Sequence, residues 1–321
     1  MRAKLRDLFS EDVHHLVLLN NSCNVKAAAE YTAIAPAGVT ISRQLVKFWR
    51  KLYAPDTKAA KVMRDMKEAR KLKTPEPIGK GGLYGAGQFH TILVIPDLHA
   101  PYHHRDALNF LCRVRDRYLP DLVVNLGDEA DKHAMSFHDS DPNLHSAGDE
   151  LARTIPVMEK LAKLFPEMLL CDSNHGSMHY RKAKHHGIPV QYLKDYRDIL
   201  LPKGGGEGWQ WAESWRVRTA LGDVLFKHQA SGPILGDAAH HQCNLMVGHN
   251  HGKFSIEYAA SSARLYWGAY SGCLIDKDSL AFAYGKHSLY KPVLGCTVIV
   301  RGVPTLIPML LDSNGRWVGR L

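Results

Sequence analysis

The sequence has little with which to build a secreted or membrane protein. Six cysteines are scattered over 321 residues, at 23, 112, 171, 243, 273 and 296. No two of them form a C-x-x-C pair, and several lie in apolar, strand-like contexts, so they read as reduced core thiols and not as a disulfide framework. No apolar run approaches the length of a membrane span, and the opening Met1–Arg6 leads to no long apolar region, so a cytoplasmic protein without a membrane partner is expected. The glycines at 79, 81, 82, 85 and 87 follow no strand and precede no Gly-Lys-Ser/Thr, which excludes a phosphate loop. Acidic residues are also scarce, and the scarcity is local. The net charge is +9, yet residues 1–90 hold 16 Lys+Arg against 8 Asp+Glu while the remainder holds 25 against 24.

What is present is an ordered series of polar residues, each placed after a short apolar run. Ile92-Leu93-Val94-Ile95 precedes Asp97 and His99; Leu122-Val123-Val124-Asn125-Leu126 precedes Gly127 and Asp128; Met168-Leu169-Leu170-Cys171 precedes Asn174 and His175. Val224-Leu225-Phe226-Lys227 then leads to His228, and Leu245-Met246-Val247 leads to Gly248, His249, Asn250 and His251. Runs of this length rich in branched residues predict buried strands. Five strands would thus end on residues of metal-ligand type. Two divalent ions roughly 3.5 to 4 Å apart need ligands from several strand ends, because no single segment can surround both. A glycine before Asp128 allows a sharp exit from its strand, and a carboxylate there can serve two cations with its two oxygens. Neutral imidazoles and an amide oxygen hold ions without overneutralising them, so a bound water can lose its proton near neutral pH and become the nucleophile.

In this order and spacing the motifs resemble those of the calcineurin-like metallophosphoesterase superfamily, over about residues 90–260. The resemblance implies that Asp97, His99 and His251 hold the first metal, that Asp128 bridges, and that Asn174, His228 and His249 hold the second. It also implies that His175 is the catalytic histidine beside the substrate oxygen. Mn²⁺ is the ion expected first, with Fe, Zn, Ni or Co as alternatives. The chain departs from the pattern twice. Gly176 stands where an acidic residue usually orients the histidine, and Gln229 stands where glycine often follows the histidine of the fourth motif.

The basic N-terminal third has its own organisation. Glu11 to Asn20 and Asn24 to Thr32 suit two helices, the second with the small run Ala27-Ala28-Ala29, and Ser42 can cap a third helix to about Tyr53. On that third helix Leu45, Phe48, Trp49 and Leu52 are expected on one side and Arg43, Lys47, Arg50 and Lys51 on the other. This resembles the helix-turn-helix of DNA-binding modules, with those four cations as candidate nucleic-acid contacts, although the stretch from Ala33 to Val39 is longer than the usual turn. A small helical bundle with a solvated basic face is the other reading. From Ala54 to His90 the chain turns Lys-rich (Lys58, Lys61, Lys67, Lys71, Lys73) and then Gly-rich, which reads as an exposed helix and a flexible hinge.

The segment from Ser177 to Trp211 carries Tyr180, Arg181, Lys182, Lys184, His185, His186, Tyr192 and Lys194. Cations among aromatics beside a catalytic histidine suit a phosphodiester backbone with neighbouring bases, and Arg181 is the candidate phosphate contact. A helix covering the sheet with a solvated basic face is the alternative. The expected architecture is therefore α/β (α+β): a helix-flanked β-sandwich with its site at the strand C-termini, behind a small helical module. The expected divisions are 1–56, a 57–89 linker, and a catalytic domain over 90–321. Three functions compete: a dinuclear phosphodiesterase or nuclease acting on nucleic acid, a phosphomonoesterase acting on phosphoprotein or nucleotide, and a DNA-binding protein with a weakly active enzyme domain. The near-complete ligand set argues against the third.

Overall fold

The computed structural model describes residues 8–21, 23–54, 78–137, 141–287 and 289–321, the side chains of 284–287 excepted. Most of the expected linker, with Lys58, Lys61, Lys67, Lys71 and Lys73, lies outside these residues. Contacts along the chain divide it into two compact units, Met1–Pro75 and Glu76–Leu321.

Among its described residues the first unit has three helices, α1 (Glu11–Asn20), α2 (Asn24–Ile34) and α3 (Arg43–Tyr53). Ser42 caps α3, its Oγ accepting from the Leu45 amide at 3.2 Å. Val17, Leu18, Ala27, Tyr31, Val46 and Trp49 form the core, and Ala27 is fully buried where α2 approaches its neighbours. The expected basic face needs one correction. Arg50 is completely buried, its guanidinium donating to the carbonyls of Leu18 and Asn21 and to Asn24 Oδ1, each at 2.9 Å. Carbonyls at a helix C-terminus lack partners within the helix, and Arg50 supplies them to α1 with a rigid, five-donor fork. It is part of the core and is not a nucleic-acid contact. Leu52, expected to pack, is instead 55% exposed. Arg43, Lys47 and Lys51, four residues apart, remain as an exposed stripe.

The second unit is built on eleven strands: β1 (Gly79–Tyr84), β2 (Thr91–Ile95), β3 (Leu122–Asn125), β4 (Glu167–Cys171), β5 (Gly208–Thr219), β6 (Gly222–Lys227), β7 (Asn244–Val247), β8 (Phe254–Ala260), β9 (Leu265–Ser271), β10 (Gly295–Val300) and β11 (Val303–Pro308). Hydrogen bonds link them in the order β11-β10-β2-β3-β4-β5-β6-β7-β9-β8, with β1 also on β5. The pairs β2–β3, β3–β4, β4–β5, β6–β7 and β7–β9 are parallel. Among the described residues five α-helices accompany them: α4 (Ala107–Tyr118), α5 (Ala147–Leu164), α6 (Met178–His185), α7 (Tyr196–Leu200) and α8 (Ile234–His241).

Side-chain alternation shows how this ribbon of strands folds over. Leu93, Ile95, Met168 and Leu170 face Phe110, Leu111 and Val114 of α4 and Met158 and Leu161 of α5. Their alternates Ile92, Val94, Leu169 and Cys171 face Val224, Phe226, Met246, Trp267 and Ala269 from the other half. Leu225, Leu245 and Val247 turn outward under Ile234 and Ala238 of α8. The result is helix, sheet, sheet, helix, with β5 serving both sheets. Burial on both faces explains the unbroken apolar runs of β2, β3, β6 and β7.

The Gly-rich segment read as a hinge is in part a strand. β1 runs parallel to β5, with Gly81 opposite Ser214 and Leu83 opposite Arg216. Gly81 has φ of +75°, and a Cβ there would collide with the Ser214 carbonyl, so glycine at this position makes the pairing possible. None of the six cysteines is paired, and Cys171, Cys243, Cys273 and Cys296 are buried. Among the described residues no helix is long and apolar enough to cross a membrane.

Candidate metal centre

Each of the five apolar strands ends in a turn that aims polar atoms at one place. Asp97, fully buried, follows β2 and accepts the His249 main-chain N–H on Oδ2 at 2.7 Å. The same oxygen lies 3.2 Å from His251 Nε2. His99 Nε2 is 3.1 Å from His251 Nε2 and 3.3 Å from Asp128 Oδ2. On the other side of Asp128, the same Oδ2 is 3.3 Å from His228 Nε2. His228 Nε2 in turn is 2.7 Å from Asn174 Oδ1 and 3.1 Å from His249 Nδ1. All seven residues expected to bind metal therefore meet, in two groups sharing Asp128. His228 stands among them despite Gln229.

Local backbone makes this convergence possible. His99, Asp128 and His249 have φ of 52°, 52° and 64°, a left-handed conformation that costs non-glycine residues of order 1–3 kcal/mol. Three such residues at one cluster mark a site whose geometry the surrounding fold enforces. Gly127, at φ 97°, lies where a Cβ would come within 2.6 Å of Ser173 Cβ and 3.2 Å of His228 Nδ1.

Outer partners fix the ring orientations. His99 Nδ1 donates to Asp131 Oδ1 at 2.5 Å, and His228 Nδ1 donates to the Leu126 carbonyl at 2.9 Å. In a neutral imidazole this leaves the Nε2 lone pair aimed into the cluster, the tautomer a metal ligand needs. Asp97 Oδ1 is buried with no hydrogen-bond partner. Carboxylate and amide oxygens and imidazole nitrogens crowd together with too few protons to satisfy one another, a donor set that fits two divalent cations.

His175 is placed differently. Its Nδ1 donates to the Asp131 carbonyl and its ring stands edge-on to His99, centroids 4.7 Å apart. Its main-chain N–H donates to Asp128 Oδ1 at 3.1 Å. The ring is 20% exposed, against 2% for His99. Asp131 is thus the residue missed in the sequence. It fixes His99 through its carboxylate and His175 through its carbonyl, and its Oδ1 lies 3.4 Å from His175 Nδ1. Its signal is an acidic residue one short turn beyond Gly127-Asp128. Arg181, on α6, is exposed and bonded to the Asn174 carbonyl, with its guanidinium carbon 5.2 Å above the Phe137 ring. Lys182 Nζ lies 4.3 Å from the same ring. Beside His249 and His251 opens a cleft of about 990 Å³ lined in part by Lys277, Phe282, Tyr290 and Lys291.

The electrostatics follow from burial and the two central carboxylates. Burial works against the charged form of His228, but Asp128 and Asp97 outweigh it and carry the ring up to about 9. His99 is raised well above its ordinary value the same way, burial being outweighed by Asp128 and Asp131. Burial raises Asp128 too, but His228, His175 and His99 more than offset it and hold the carboxyl well below the usual range. Burial lowers His175 and His249. For His228, a folded value above the unfolded one means stability that is complete below about pH 6.5 and lost as pH rises through about 9. The metal-free protein should therefore melt at lower temperature at about pH 9 than at about pH 6.5, and adding Mn²⁺ near neutral pH should release protons. Thermal scans and calorimetry in buffers of different ionisation enthalpy check both. A pH-independent melt, or binding without proton release, is the contrary result.

No protein-family model matches the sequence, and no curated protein matches it. Among solved structures, the chain is similar to Vps29 of Chaetomium thermophilum, at 13% identity over 72% of this chain and 93% of that one, TM-score 0.36. It is also similar to the E. coli phosphoesterase Yfce, at 11% identity over 71% and 96%, TM-score 0.37. A Mycoplasma pneumoniae phosphatase matches at 10% identity over 69% and 95%, TM-score 0.32. Likeness this remote leaves the function to be read from the residues of this chain.

Proposed function

We propose that this chain is a metal-dependent phosphoester hydrolase with a dinuclear centre, acting on phosphodiesters of nucleic acid. The observation that carries the chemistry is Asp128 Oδ2, 3.3 Å from both His99 Nε2 and His228 Nε2, so that one carboxylate oxygen stands between the two groups of candidate ligands. Asp97, His99 and His251 would hold one ion and Asn174, His228 and His249 the other, with Asp128 shared. Hard oxygen donors mixed with imidazole suit Mn²⁺ first, with Fe, Zn, Ni or Co also accommodated. Such ions supply Lewis-acid polarisation of a phosphoryl oxygen and lower the pKa of water. His175, held by Asp131 at Nδ1, has Nε2 left to hold or move a proton beside the substrate oxygen. Arg181 is the group nominated for the phosphate, since its cation sits beside the Asn174–His175 turn.

Support for a nucleic-acid substrate comes from surface chemistry. Phe137, 47% exposed, carries Arg181 and Lys182 against its ring, and the cleft beside His251 joins Tyr290 and Phe282 with two lysines. Bases stack on aromatics while cations meet the backbone. A screen of Mn²⁺-loaded protein against single- and double-stranded DNA, RNA, cyclic nucleotides and aryl phosphate mono- and diesters tests the proposal. Hydrolysis of the diesters and of a nucleic acid is expected. Turnover confined to monoesters would make the protein a phosphomonoesterase.

The helical unit is proposed to hold nucleic acid through Arg43, Lys47 and Lys51. Replacing all three by alanine leaves the core, including Arg50, untouched. Each phosphate that a cation neutralises adds about 0.9 to the salt slope of binding on B-DNA, so the triple variant should bind with a slope shallower by up to about 3 units. Cleavage of a small aryl ester should be unchanged. Equal DNA affinity for variant and parent at every salt concentration would remove this role.

A further inference from the structure

We propose that Lys132 is a positioning residue for His175, its ammonium tying down the turn that carries the histidine; this rests on the hydrolase function proposed above. Lys132 is 9% exposed and lies in the left-handed region at φ 61°. Nζ donates to the His175 carbonyl at 2.8 Å and to the Gly176 carbonyl at 2.7 Å. It also stands 4.0 Å from the centroid of the Tyr196 ring and 3.4 Å from His179 Nδ1. His179 stacks on Tyr196 at 5.1 Å and 17°. The ammonium is therefore enclosed by two carbonyls, an aromatic face and an imidazole.

Burying a lysine is costly unless its charge is partnered, and neutral groups of the right shape would fill this space more cheaply. What Lys132 provides that they cannot is donors to two successive carbonyls of the Asn174–Gly176 turn. On its N–H side the turn is held by His175 N to Asp128 Oδ1 at 3.1 Å and Gly176 N to Ser173 Oγ at 2.8 Å. On its carbonyl side, the Met178 N–H donates to the His175 carbonyl and His179 Nδ1 meets the Gly176 carbonyl, both at 3.1 Å. Those two bonds come from the helix that continues the turn and would move with it. Gly176 itself offers no side chain to restrain it. Lys132 anchors the same carbonyls to the loop of Asp131, and so limits the rotation that would swing the His175 ring away from that residue. Residues 131 and 132 act together, the first on the ring and the second on its backbone.

Lys132→Met keeps the length of the side chain and removes the donors. In metal-free protein, hydrogen exchange over residues 174–180 should speed by about tenfold or more, the equivalent of roughly 1.4 kcal/mol in local opening, with β2, β3 and β4 unchanged. In metal-loaded protein turnover should fall by up to about 10²-fold, the scale of a roughly 1 Å misplacement, with KM and metal content unchanged. Added to His175→Ala it should cause no further loss, and Lys132→Arg should restore part of the turnover. Should Lys132→Met fail to fold, Glu129→Gln/Lys132→Met also neutralises Glu129, a buried carboxyl that interacts electrostatically with the Lys132 ammonium, and the same measurements apply. Unchanged exchange over 174–180, uniformly faster exchange, or losses that multiply with His175→Ala would each overturn the positioning role. A parent protein inactive on every phosphoester, with exchange at 174–180 still loosened, would overturn the hydrolase function and the catalytic purpose of Lys132 with it.

Discussion

Asp128→Asn should leave the protein folded, unable to retain two metal ions per chain, and without measurable phosphoester turnover. Both carboxylate oxygens are committed. Oδ1 accepts the His175 N–H at 3.1 Å, and Oδ2 sits 3.3 Å from each of two imidazole nitrogens. An amide has one oxygen and one donor, so either orientation fails. With its NH₂ toward His175 two donors confront each other, and with its NH₂ toward the histidines a donor points where cations should be. It also loses the one negative charge shared by both ion sites. Asp131→Ala gives the scale, because among the expected ligands it touches only His99, as an outer partner, and such losses cost about 10- to 100-fold in metal affinity. Asp128→Asn should exceed that. Metal analysis after gel filtration, together with turnover of an aryl phosphodiester, measures both variants. Two ions per chain in Asp128→Asn would show that the convergence around Oδ2 is not a metal bridge.

Much of the site is visible in the sequence because two physical signals coincide there. Strands buried on both faces cannot alternate, so β2, β3, β6 and β7 appear as short apolar runs, and polar residues just past such runs have nowhere to go but the shared rim of the sheets. Asp97, His99, Asp128, Asn174, His228, His249 and His251 are found that way, and the structure brings them together. What the sequence hides depends on contacts between distant segments. Arg50 has the periodicity of a surface cation, and only the nearby end of α1 makes it a buried cap. Leu52 is the converse, an apolar residue at a position the three-helix core does not reach. Gly79 to Tyr84 lacks the branched residues of a strand, and at Gly81 the approach of β5 leaves no room for a Cβ. Asp131 and Lys132 look like ordinary loop residues, and their roles arise from the Asn174–Gly176 turn, 43 and 44 positions along the chain from Lys132 at its two bonded carbonyls. Gly176 is the clue to them: a residue that could not orient its neighbour implied a support from elsewhere.

His175→Ala should reduce turnover by about 10² to 10⁴, the range for a lost acid–base group, while metal content stays at the parent level. The separation follows from how the residue is attached. Its contact with Asp128 is made by the main-chain N–H at 3.1 Å, which alanine keeps, whereas the ring itself is held by Asp131. Removing the ring therefore takes away a proton carrier without taking away a ligand. The leaving group adds a second discrimination. If His175 delivers a proton to the departing oxygen, the defect should be large for alkyl and nucleoside leaving groups and small for a nitrophenolate, which departs without help. If it serves only to orient the phosphoryl group, the defect should be the same for both. Metal loss matching that of Asp128→Asn would instead place His175 among the ligands, and the cluster of His99, Asp131 and His175 would then be the site to which that ion belongs.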